Sequence, residues 1–175
     1  MSPGELIEFL LESIWFLLPS YVATIIPVFA RKINFLDISI NDKIFGKNKT
    51  YRGFLFGILF SIVTVYLQVF LYKKYLLITA ISIVNYDKID YLLFGFLMGF
   101  GALFGDLVKS FFKRQLKIKE GASWFPFDQF DFVIGSLIFV SVVFIPSLVH
   151  VICMITIIII LHYIVVRISY SVGLR

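Results

Sequence analysis

Between Gly101 and Asp131 the chain reads GALFGDLVKSFFKRQLKIKEGASWFPFDQFD. Five cations (Lys109, Lys113, Arg114, Lys117 and Lys119) stand there among four acids (Asp106, Glu120, Asp128 and Asp131). The whole chain holds 16 Lys and Arg against 11 Asp and Glu, so a large share of its charge lies in this one stretch, between two apolar runs. A loop that only joined two helices has no need of that density. Lys and Arg pair with phosphate oxygens and spaced carboxylates hold Mg²⁺, so the set suits a metal-bound polyphosphate.

Asp106, Ser110, Lys113, Arg114 and Lys117 share one face if the apolar run from Tyr91 continues as a helix past the membrane surface. A rise of ~1.5 Å per residue brings Asp106 to the membrane boundary, where an acid with cations one and two turns beyond marks a functional position. A positive-inside anchor, its Asp paired with Lys109 or Lys113, accounts for this cluster equally well. Asp128 and Asp131 are three apart after Pro126, a helical spacing that aims both carboxylates at one point, as a divalent ion requires. Capping and offsetting the helix dipole is the commoner use of acids in a first turn. The third acid, Asp106, and the intervening cations favour the metal.

A second polar stretch, NDKIFGKNKTYRG (41–53), sets Lys43, Lys47, Lys49 and Arg52 among Gly46, Gly53 and the Thr50 hydroxyl. That composition can wrap an anion, although it lacks the GxxxxGK[ST] of a Walker loop. A solvated positive-inside loop accounts for its lysines alone. His150 and His162 lie in apolar runs with no acid or Cys at ligand spacing and read as packed or interfacial residues. Cys153, the single cysteine, reads as a packing residue and excludes an internal disulfide. No Ser–His–Asp or Cys–His constellation can be assembled.

The elements that must position these groups are membrane helices. Hydrophobic residues make up 60% of the 175 positions, far above a soluble domain, and several runs are long enough to cross a bilayer, which needs about 20 residues of helix. The expected fold is an all-α integral membrane protein forming one domain over residues 1–175. About five transmembrane helices are expected, at about 6–29, 53–71, 91–108, 132–149 and 150–166, with two polar loops on one side. Pro19 and Pro27 should kink or thin the second half of the first span. Gly53 and Gly57, and then Gly95, Gly99, Gly101 and Gly105, permit close helix contact. The segment 72–90 is too short to cross and reads as interfacial or re-entrant. The acidic start (Glu5, Glu8, Glu12) is unlike a cleavable signal peptide. Thirteen Lys and Arg fall in segments 31–52, 109–119 and the C-terminal end, against three on the other side. That asymmetry puts the N-terminus outside and both charged loops in the cytoplasm.

The run GDLVKSFFKRQLKIKEGASWFPFDQFD resembles the signature of the CDP-diglyceride synthetase family. In that signature S-x-x-K-R-x-x-x-x-K-[acid] leads to a proline and paired aspartates. Ser110, Lys113, Arg114, Lys119, Glu120, Pro126, Asp128 and Asp131 stand here in that order. The His-Gly-Gly of the bacterial form is missing, and the shortened PxDQxDF (126–132) resembles the family's archaeal branch, the CDP-archaeol synthases. PSYVATIIPV (19–28), NDKIFGKNKTYRG and HYIVVRISYSVGL (162–174) resemble further motifs of that branch. Thr24 stands where the family usually has Asn, Glu120 where the bacterial signature has Asp, and Val166 in place of an Asn.

The resemblance implies a membrane cytidylyltransferase. Its substrates would be CTP and an isoprenoid ether lipid phosphate (digeranylgeranylglyceryl phosphate), its products a CDP-lipid and pyrophosphate, and its cofactor Mg²⁺. Membrane lipids and no nucleic acid would be its other partners. Asp106, Asp128 and Asp131 would hold the metal. Lys113, Arg114 and Lys119 would neutralise phosphates beside Ser110, and Lys49, Thr50 and Arg52 would close over the nucleotide. An anionic-lipid transporter or flippase is the alternative, opposed by the nearly pure Ile, Val, Leu and Phe of the last two spans. A non-catalytic membrane scaffold is opposed by the ordered motif set.

Overall fold

A computed structural model describes residues 2–119 and 122–171, with Pro3 and residues 161–171 described as backbone alone. Glu120 and the side chains of the C-terminal motif (162–174), His162 and Val166 among them, lie outside that description. Among the described residues six helices follow in order: α1 (Pro3–Ala30), α2 (Tyr51–Lys74), α3 (Leu76–Ala80), α4 (Tyr91–Gln115), α5 (Phe127–Val140) and α6 (Leu148–Ser171). Among the described residues, α1 (from Gly4), α2 and α4 are long and apolar enough to cross a membrane, and Leu148–Ile160 of α6 is a shorter apolar helix.

Local sequence explains where the helices begin. Ser2 and Glu5 form a reciprocal capping box at α1. The Thr50 hydroxyl accepts the Gly53 N–H at 3.1 Å, and the Asp90 carboxylate accepts the N–H groups of Leu92 and Leu93 at 2.9 and 3.1 Å. Helix α1 continues as one helix through Pro19 and Pro27. Each proline removes one donor, and Pro19 is fully buried in the core, so packing holds the helix together there.

Two expected boundaries move. The fourth span, expected over 132–149, is the 14-residue helix α5, which starts earlier at Phe127 and ends at Val140. At 1.5 Å per residue it is about 21 Å long, short of a full hydrocarbon core. A non-helical segment follows through Pro146, where the residue before a proline disfavours helix, and α6 begins at Leu148. The short α3 exposes Leu76 and Leu77 almost fully, as an interfacial turn would.

Helix α4 sits at the centre, packed against α1, α2 and α5. Glycines set its distances. A Cβ on Gly99 would stand 2.6 Å from the Ser61 Cβ of α2, and one on Gly101 2.6 Å from the Gly135 carbonyl of α5. Buried hydroxyls tie the bundle: Ser61 of α2 donates to the Gly95 carbonyl of α4 (2.8 Å), and Ser20 of α1 shares a 2.7 Å bond with Ser136 of α5. His150 has a partner far away in sequence. Its Nε2 lies 2.9 Å from Glu12 and its Nδ1 2.6 Å from the Ser147 hydroxyl, joining α6 to α1.

Candidate active site

Where α4 meets the start of α5, at one end of the bundle, three carboxylates converge. Asp106 comes from α4, and Asp128 and Asp131 come from the first two turns of α5. The helices approach closely because Gly105 faces the carbonyl of Asp131 with no side chain between them. All three carboxylates meet one ammonium. Lys109, one turn after Asp106, lies 3.0 Å from Asp106, 3.4 Å from Asp128 and 2.6 Å from Asp131.

Two further cations flank that centre. Lys113, the next turn of α4, is buried and bonds both oxygens of Asp128 at 3.0 and 3.2 Å. Lys49 reaches in from the loop before α2 and pairs with Asp106. Asp128 also accepts the Trp124 N–H at 2.6 Å. It precedes the apolar part of its helix. Partial burial works to raise its pKa, but the Trp124 N–H, Lys113 and Lys109 outweigh burial and hold the carboxyl below its ordinary range.

The loop that carries Lys49 is built, not slack. The Asn41 carboxamide accepts the N–H groups of Lys43 and Ile44, both at 3.1 Å. Gly46 adopts φ 91°, open to glycine at no steric cost. Ser39 and Thr50 form an isolated antiparallel bridge, next to which the Ile40 N–H donates to the Lys49 carbonyl at 2.7 Å. Arg52 closes the structure: its buried guanidinium pairs with Asp37 at 2.6 Å and donates to the Ile33 carbonyl.

Against the expected roles, the structure brings together Asp106, Asp128, Asp131, Lys113 and Lys49. Arg52 points instead to Asp37 and Ile33, and the Thr50 hydroxyl caps α2. The Ser110 hydroxyl donates to the Asp106 carbonyl of its own helix at 2.7 Å. Arg114 has a buried Nε without a hydrogen-bond partner, and Lys119 is exposed on the connection to α5. Lys109, at the heart of the cluster, was legible only as a local partner of Asp106. Its i+3 spacing from Asp106 was the signal, and the α5 carboxylates were out of view. Asp37 gave no signal at all.

Two cavities open beside the cluster. One of about 340 Å³ is lined by polar residues that include Lys47, Lys49, Arg52 and Asp106 and by apolar residues that include Pro27, Phe54 and Leu103. Thr24, the departure from Asn noted above, lines it too, with its hydroxyl bonded to the Tyr21 carbonyl at 2.9 Å. The other, about 130 Å³, lies against Lys49, Lys109, Ser110, Lys113 and Arg114. The arrangement can bind an anion with an apolar extension beside a cluster of hard oxygen donors. With the Lys109 ammonium at the centre, no three acidic, His or Cys side chains among the described residues are already drawn together at metal-ligand distance. The donor set nonetheless suits Mg²⁺: three carboxylates, hard oxygen donors from two helices, face one point, where the Lys109 ammonium stands.

Known proteins share this architecture. A solved structure described as an intramembrane enzyme for archaeal membrane lipid biosynthesis superposes with TM-score 0.67 at 25% identity, covering 89% of this chain and 93% of its own. A CDP-archaeol synthase of Methanocaldococcus jannaschii is 33% identical over 176 residues, 95% of each chain. One from Methanococcus maripaludis (strain C7) is 37% identical over 139 residues, 77% of each. These likenesses, with several apolar helices, make this a multi-pass membrane protein. The family model for CarS-like CDP-archaeol synthases matches residues 6–175, and the chain belongs to that family.

Proposed function

We propose that this membrane cytidylyltransferase of archaeal lipid biosynthesis joins CTP to 2,3-bis-O-geranylgeranylglycerol 1-phosphate, at the cytoplasmic edge of the membrane. The observation that supports this most is the meeting of Asp106, Asp128 and Asp131 with Lys49, Lys109 and Lys113 beside a cavity lined by both polar and apolar residues. A lipid phosphate oxygen attacks the α-phosphorus of CTP, the bond to the β-phosphate oxygen breaks, and pyrophosphate leaves with that electron pair. Lys49, Lys113 and Arg114 neutralise the triphosphate, with Lys119 reaching it from the connection. No covalent enzyme intermediate is required, so positioning and charge carry the rate. Asp106, Asp128 and Asp131 would hold Mg²⁺, which would supply further neutralisation of phosphate charge.

Sealed vesicles of both orientations, given radiolabelled CTP and the lipid phosphate, test product and sidedness together. A lipid-soluble CDP product is expected only where the loops 31–52 and 109–131 face the nucleotide. No such product from either orientation, nor after detergent opening, overturns the reaction. Product formed only from the N-terminal side overturns the orientation.

Loop chemistry separates two roles that look alike in sequence. Lys49→Ala removes a charge-assisted contact of roughly 1.5–3 kcal/mol and should weaken CTP use about tenfold to a hundredfold, with little change toward lipid. Arg52 acts here by pinning the loop. Arg52→Ala and Asp37→Ala should therefore cause similar losses, and the double variant little more than either. Additive losses in steady-state kinetics would instead give Arg52 a role apart from Asp37.

A further inference from the structure

Lys109 occupies the point on which the whole carboxylate cluster closes. Among the described residues it is the ion-pair partner of Asp131, while Asp106 and Asp128 have Lys49 and Lys113 as well. Its side chain is only 15% exposed, so little solvent screens the group. Carboxylates crowded into such a site repel one another unless a cation stands between them. Lys109 supplies that cation from within the chain.

The same geometry sets up a competition. The ammonium stands 2.6–3.4 Å from the three carboxylates, whereas Mg²⁺ binds oxygen at about 2.0–2.1 Å. The two cations cannot share one centre: the carboxylates must draw inward, and like charges would be in contact. A lysine has a flexible four-carbon stem, and the cavity of about 130 Å³ lies directly beside it. That cavity is lined with Lys49, Lys113 and Arg114, so an ammonium entering it alone meets only positive charge. An anion there removes that penalty.

We propose that Lys109 is a resident counter-ion: it holds the three carboxylates together, and a divalent ion displaces it into the adjoining cavity, where it meets phosphate. The proposal rests on the metal reading above. Metal alone then binds weakly, because it must evict the ammonium, and a polyphosphate that receives the ammonium makes metal binding tighter.

Thermal unfolding of the full-length protein in detergent, titrated with Mg²⁺ without nucleotide, reads this directly. Lys109→Met should melt lower than wild type without Mg²⁺. Its Mg²⁺-dependent stabilisation should have a midpoint about tenfold or more below wild type, because the competitor is gone. Lys109→Arg keeps the charge and should follow wild type. An unchanged or higher midpoint in Lys109→Met, or no stabilisation in either protein, overturns the exchange. Asp131→Asn and Asp106→Asn in the wild-type background tell that failure from failure of the metal site. If both keep full Mg²⁺-dependent stabilisation, the metal reading falls with its ligands. Should Lys109→Met not fold, the pair Lys109→Met with Asp131→Asn removes one charge of each sign and should fold, melting near wild type without Mg²⁺. A double variant that also fails to fold counts against the counter-ion role.

Discussion

Asp106→Asn, Asp128→Asn and Asp131→Asn should each lower CDP-lipid formation by about a hundredfold or more, with the protein still monodisperse in detergent. The amide keeps the shape of the carboxylate and removes its charge. Helix capping cannot produce such a result, because Asn caps as well as Asp. The structure already separates these residues from capping. Asp106 lies inside α4, and α5 has Pro126 at its N-cap position with no side-chain cap bond. Asp128 instead accepts a backbone N–H from Trp124, upstream of the helix. Rates measured against Mg²⁺ concentration decide the matter. Near-wild-type turnover with unchanged Mg²⁺ dependence in all three variants would mean that these carboxylates hold no metal.

Why the acidic face was readable and its centre was not follows from what spacing can carry. Asp106 and Lys113 stand two turns apart on one helix, and Asp128 and Asp131 three residues apart on another, so each pair declares its own face. That the two faces meet depends on α4 and α5 packing backbone to backbone, which glycine spacing permits without specifying a partner. Lys109 belongs to both faces at once, so its role appears only after they are joined. The Arg52–Asp37 pair depends on a loop fold that leaves no periodic trace, and a buried arginine there reads in sequence as one more loop cation. The end of α5 was hidden for a different reason. Val140 to Ile145 is as apolar as the helix before it, and hydropathy reports the solvent a segment prefers rather than whether its backbone is helical. The Glu12–His150 contact was equally out of reach, since it joins the first and last helices.

The α4–α5 seam gives the second large effect. A Cβ on Gly105 would stand 2.1 Å from the Asp131 carbonyl oxygen, and one on Gly135 2.1 Å from the Gly101 carbonyl oxygen. Both obstacles are backbone, so no rotamer change relieves them. The helices must separate at the level of Asp131, drawing that carboxylate away from Asp106 and Lys109. A displacement of about 1 Å at a reacting centre can lower turnover about a hundredfold, and Gly105→Ala should do so. It should also lower the melting temperature, since the seam is buried. Gly99→Ala supplies the comparison: its Cβ would meet the Ser61 side chain of α2 at 2.6 Å, about two helical turns before Asp106 along α4. That variant should lose stability with a smaller loss of turnover per folded molecule. Gly4→Ala, whose Cβ would have only the Ser2 hydroxyl within 4.0 Å, should change neither. If Gly105→Ala and Gly99→Ala lower turnover in proportion to their melting temperatures alone, the seam contributes stability and does not position the site.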